Sequence, residues 1–132
     1  MLKYWLIFVL TLSGFVMIPS YAEPVMNDTG YVIQDYVKGI CCSPTTMAFE
    51  GNDILVLSKV SGQVHLFRDG VLQDKPVLQE NVTSEGEQGM LGITTVGTKV
   101  YLYVTESAKM GGHPLGKRVY SYDWNGQQLV NK

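Results

Sequence analysis

"GNDILVLSKVSGQVHLFRDG", Gly51 to Gly70, decides the fold. Its two runs rich in Ile, Leu and Val, residues 54–58 and 64–68, are bounded by Gly, Asn or Asp and read as β-strands. Asp69-Gly70 supplies the positive φ angles that a tight hairpin turn requires, and Gly51-Asn52 stands where a preceding strand must reverse. The same pattern extends in both directions. Residues 31–37 and 45–49 come before; 75–78, 90–96, 100–105 and 119–124 follow, with Gly97-Thr98 and Asn125-Gly126 as further turns. Helical periodicity is almost absent, so the chain is expected to be all-β with antiparallel neighbours.

A self-comparison sharpens this. Gly51-Asn52-Asp53-Ile54-Leu55-Val56-Leu57 lies on Gly97-Thr98-Lys99-Val100-Tyr101-Leu102-Tyr103 at an offset of 46, and Asp69-Gly70 lies on Asn125-Gly126 at an offset of 56. The difference of ten falls in one stretch, "SAKMGGHPLG", residues 107–116, read as an enlarged loop. A repeat of this length with four short strands in its first copy matches a propeller blade better than a solenoid turn. The first copy runs from Thr45 to about Leu78. In the second, only residues 127–132 follow the last turn, so its outermost strand is expected to be missing or only begun. A propeller ring closes with about four to eight blades. Each blade buries its faces against neighbours, and at about 25 cal/mol per Å² one uncovered face forfeits several kcal/mol, comparable to a small domain's whole stability. The chain is therefore expected to be the amino-terminal part, about one and a half to two blades, of a larger propeller.

The ends and the composition bound the function. Residues 1–22 have the layout of an export signal: Lys3, an apolar stretch from Trp5 to Ile18, then Ser20-Tyr21-Ala22 with small residues at the cleavage-determining positions. Cleavage is expected after Ala22, with a retained N-terminal membrane anchor as the alternative; the stretch is short of the ~20 residues of a spanning helix. Without its signal the 132-residue chain retains residues 23–132, one small domain at most, and its net charge moves from −2 to −3 with the loss of Lys3. No Lys/Arg cluster marks a nucleic-acid surface. Asn27-Asp28-Thr29 and Asn81-Val82-Thr83 fit the glycan acceptor pattern of exported proteins. Cys41-Cys42 are adjacent, ~3.8 Å apart at Cα, below the usual disulfide range, so they read as packing thiols, with a strained bond as the minority alternative.

"SEGEQGMLGI", Ser84 to Ile93, packs three glycines, two carboxylates and an amide directly before an apolar run. By itself it is a loop. With "SPTTMAF" (from Ser43), "ILVLSKVSGQVHLFRDG" (from Ile54), "VYLYVTE" (from Val100) and "KRVYSYDWNGQQL" (from Lys117), however, the order and spacing resemble the opening of the pyrroloquinoline-quinone-dependent soluble sugar dehydrogenases, the glucose/sorbosone dehydrogenase family. The likeness covers about Val32 to Val130. It implies a six-bladed β-propeller, exported, that oxidises aldose sugars with quinone and calcium, and four further blades. It also implies a role for Glu87: the acid or amide two residues before the Gly of the family's "GLLG" segment points toward sugar and quinone, and "EQGMLG" puts Glu87 there. Met90 replaces the usual Leu, a volume-conserving change. The family's general base, a histidine, and its quinone and calcium clamps come from later blades.

The chain's own candidates for such roles read blandly. His65 sits inside a strand with no acid or nucleophile placed beside it, and reads as a packed histidine. His113, in the "GGHPLG" stretch, reads as a surface or ligand-edge residue without a metal ligand set. Tyr101, Tyr103, Tyr120 and Tyr122 alternate along two strands as sheet packing does. No catalytic or metal-ligating residue is assigned, and Glu87 is the one residue expected near substrate and cofactor. Two functions are carried forward: the amino-terminal part of a sugar dehydrogenase, inactive alone, and a non-catalytic exported propeller module that binds a glycan or protein. Missing blades or self-association would complete the ring in either case.

Overall fold

The computed structural model describes Pro24–Ile40 and Ser43–Lys132; the expected signal segment and the Cys41-Cys42 pair lie outside the described residues. The chain divides into two compact units, one up to Gln34 and one from Asp35 onward. The described part of the first is irregular. Its fixed feature is a turn at Asp28, whose Oδ1 accepts from the Gly30 N–H at 2.8 Å. The strand expected over residues 31–37 does not form. Tyr31, Val32 and Ile33 are exposed there, and no pairing partner stands beside them among the described residues, so β propensity has no ladder to join.

The second unit is two antiparallel sheets. Strands β1 (Pro44–Glu50), β2 (Asp53–Ser58), β3 (Gln63–Arg68) and β4 (Val71–Leu72) follow one another in order, and β5 (Leu78–Gln79) pairs with the other end of β3. Strands β6 (Met90–Val96), β7 (Lys99–Ser107), β8 (Pro114–Trp124) and β9 (Leu129–Val130) repeat that order. The turn at Asp69-Gly70 has φ of 52° and 75°, the double positive twist of a tight hairpin. The outer strand of the first sheet is split into β4 and β5 rather than running over residues 75–78, because Pro76 cannot donate to the ladder.

The stretch 107–116 is less a loop than a longer hairpin. Most of the extra residues extend β7 and β8, whose pairing continues to Ser107 opposite Pro114 across an irregularity beyond Glu106. Within the strands Leu55 pairs with Leu66 and Tyr101 with Ser121, so β8 lies 55 residues beyond β3, and the last residue of the offset enters just before the turn.

Alternation assigns the faces. Leu55, Leu57, Val64 and Leu66 of the first sheet bury against Val100, Leu102, Val104 and Tyr122 of the second, with Val77, Val82, Met90 and Leu129 closing the layer. The innermost strands are also stitched: Thr45 Oγ1 donates to the Met90 carbonyl at 3.0 Å and Thr95 Oγ1 to that of Phe49 at 2.8 Å. On the far side of the first sheet, Ile54, Val56 and Phe67 are covered by Val37, Ile40 and Leu72. Among the described residues nothing covers the far side of the second sheet in this way: Val96 is 66% and Val119 68% exposed, with Tyr101 beside them. By the offset of 46, Tyr101 and Tyr103 stand where Leu55 and Leu57 stand in the first copy, on the face that a following sheet buries.

Candidate functional site

The antiparallel order gathers the β2–β3 turn, the β7–β8 turn and the connection from β5 to β6 at one end of the sheets. That connection, residues 80–89, carries the polar sequence before β6. It is held like an extra strand: Thr83 N–H donates to Thr105 O at 3.2 Å, Ser107 N–H to Asn81 O at 3.0 Å, and Val82 bridges to Glu106. Its return is pinned by Thr105 N–H on Gly89 O (2.8 Å) and Met90 N–H on Lys59 O (3.2 Å). Gly89 has φ of 126°, and a Cβ there would lie 2.7 Å from Lys59 O, so only glycine lets the backbone pass.

Glu87 sits at the tip of this loop, exposed, in the turn closed by Gln88 N–H on Glu85 O at 3.0 Å. The neighbouring backbone is braced by Lys59, whose Nζ donates to Gly86 O at 2.5 Å. Among the described residues Glu87 makes no hydrogen bond or ion pair, so its carboxylate is free to accept from a ligand.

The histidines fall apart. His65 lies on the far face of the first sheet, paired with Val56; burial holds its imidazole below the ordinary value, and Nε2 finds no partner among the described residues. It is a packed histidine. His113 is exposed on the β7–β8 turn, where it lines a recess with Thr83, Glu85 and Lys109. Glu87 is not part of that lining. That Glu85 and His113 line one recess escapes sequence reading, because it depends on the loop pairing alongside β7 rather than on spacing.

The tyrosines divide by face. Tyr101 and Tyr103 lie on the open face, whereas Tyr120 and Tyr122 turn toward the first sheet. Tyr122 donates to Glu80 Oε1 at 2.6 Å, and Lys132 Nζ reaches Glu80 Oε2 at 2.9 Å. Tyr120 donates to Glu106 Oε1 at 2.7 Å. These are packing groups satisfied at their polar ends.

The two sheets, alike in order and packed face to face through their inner strands, are blades of a β-propeller. No family model and no curated protein matches the chain. Among solved structures it resembles a Thermus thermophilus protein provisionally described as an oxidoreductase (glucose dehydrogenase), with a TM-score of 0.61 and 27% identity over 74% of this chain. The chain spans 28% of the length of that protein. The likeness supports a sugar-dehydrogenase-like fold.

Proposed function

We propose that this chain supplies the first blades of an exported, quinone-dependent sugar oxidoreductase of the glucose/sorbosone dehydrogenase kind, with an aldose as substrate and Glu87 at the edge of the sugar site. The observation that supports this most is an unpaired, exposed carboxylate on a braced loop, in a fold resembling a protein described as a glucose dehydrogenase. In this reading Glu87 accepts a hydrogen bond from a sugar hydroxyl and fixes the orientation of the ring, which lowers the entropic part of the barrier.

Pyrroloquinoline quinone and calcium are part of the proposal, but the residues present do not fit them unaided. Among the described residues no group of three or more His, Cys, Asp or Glu is placed to hold a metal ion. Lys59, the cation nearest the Glu87 turn by hydrogen bonding, is already engaged by Gly86 O. Both groups, and the histidine base, are therefore assigned to further blades. The chain alone is inactive in this reading.

Purified chain given glucose, the quinone, calcium and a redox dye is expected to reduce no more dye than a protein-free control; dye reduction would overturn the assignment of the base to other blades. In a protein carrying further blades, Glu87→Ala is expected to lower kcat/KM about tenfold to a hundredfold at unchanged Tm. Unchanged kinetics would remove Glu87 from the site. Glycan binding without turnover in that protein would favour the non-catalytic module instead.

A further inference from the structure

The stretch 107–116 takes no part in that reading, yet it is what distinguishes the second sheet from the first. Where the first hairpin turns in residues 59–62, the second carries longer strands and a tip at residues 108–113. In repeat folds such insertions gather on one face, often the binding face. Here the tip and the loop before β6 enclose a recess of about 330 Å³, lined by Thr83 and Glu85 from the loop and by Lys109, His113 and Pro114 from the hairpin.

The recess is built in advance. Gly111 N–H donates to Val82 O at 2.8 Å, which ties hairpin and loop together. Ser107, itself buried, donates through Oγ to Lys109 O at 2.5 Å and fixes the turn. A cleft so fixed loses little order when it is filled. Its volume lies at the lower end of the roughly 300–1,000 Å³ of small-ligand sites.

We propose that this recess is a binding subsite for a neutral polyhydroxylated ligand, a sugar unit. Glu85 accepts from hydroxyls, Lys109 and the His113 ring donate to hydroxyl oxygens, and Pro114 offers an apolar surface to the C–H face of a sugar ring. A sugar needs donors and acceptors together, and this lining has both. An anion would meet the Glu85 carboxylate and find no arginine fork. A metal ion would find only Glu85 and His113 as strong ligands. The inference rests on the sugar reading of the Glu87 loop and extends it: since Glu85 and Glu87 share one turn, the recess takes a second unit of an oligosaccharide whose other end lies at Glu87.

The test is a titration of the ¹⁵N-labelled chain with glucose, with a glucose disaccharide and with inorganic phosphate, followed by NMR. The disaccharide is expected to move the amide signals of Thr83, Lys109 and Gly111 and the ring signals of His113. Glu85→Ala should weaken that response about tenfold, the loss of one hydrogen bond to a charged group. Recess signals that no saccharide moves, or that phosphate moves at lower concentration than either sugar, would overturn the inference. A response confined to the Glu87 loop would overturn it while leaving the dehydrogenase reading intact. A recess response, without dye reduction in a protein carrying further blades, would uphold it and remove that reading.

Discussion

Glycine 89 is the residue on which the candidate loop turns. A methyl group there would press on the Lys59 carbonyl, in a backbone conformation that L side chains rarely adopt. Gly89→Ala is expected to cost about 2–3 kcal/mol, read as a lowered urea midpoint, and to loosen amide protection at Thr105 and Met90. An unchanged midpoint would mean that the loop is not held against the β2–β3 turn. Tyr122 offers a second residue-scale test. Burial, and then its bond to Glu80, push the phenol pKa upward. A phenol that holds its proton more tightly when folded contributes stability fully below its unfolded value of about 10 and loses that contribution as pH rises further. Tyr122→Phe should therefore lower stability by about 1 kcal/mol at pH 8 and flatten the decline between pH 9 and 11. Parallel pH curves for the two proteins would contradict this. The expectation for Glu87 rests on resemblance alone; composition and turn residues by themselves give a polar loop before a strand. That Glu85 and His113 line one recess is not legible in the sequence, because no periodicity links a loop to the tip of a hairpin in the next sheet.

At the scale of elements, alternation along β7 separates two kinds of position. Leu102 is fully buried between the sheets, whereas its neighbour Tyr101 lies on the open face. Leu102→Ala is expected to cost about 3 kcal/mol and Tyr101→Ala less than about 1, measured by urea denaturation. Equal costs would mean that both faces are covered. Strands with a partner on each side were readable from β-branched runs between turn residues, as for 54–58 and 64–68 against the observed β2 and β3. Two kinds of element misled. Residues 31–37 have strand composition but no neighbour to pair with among the described residues, and Pro76 breaks the outer strand where the pattern runs on. The extra residues at 107–116 read as loop because glycines mark turns; much of their length instead prolongs a hairpin.

For the whole molecule, the repeat carries more than any motif. Two sheets of the same order pack with the Leu55 face of the first against the opposite, Val100 face of the second, and the second presents Tyr101, Tyr103 and Val119 where the first presents a buried layer. Those residues are matched to a further sheet, as in a propeller, rather than to solvent. The most direct test is the set of NOEs from the aromatic and methyl protons of these residues in the chain in solution. The account predicts contacts from Leu55 and Leu57 to Val100 and Leu102, and none from Tyr101 or Tyr103 to the first sheet. NOEs joining Tyr101 and Tyr103 to Ile54, Val56 or Phe67, as in a closed barrel or sandwich, would contradict it.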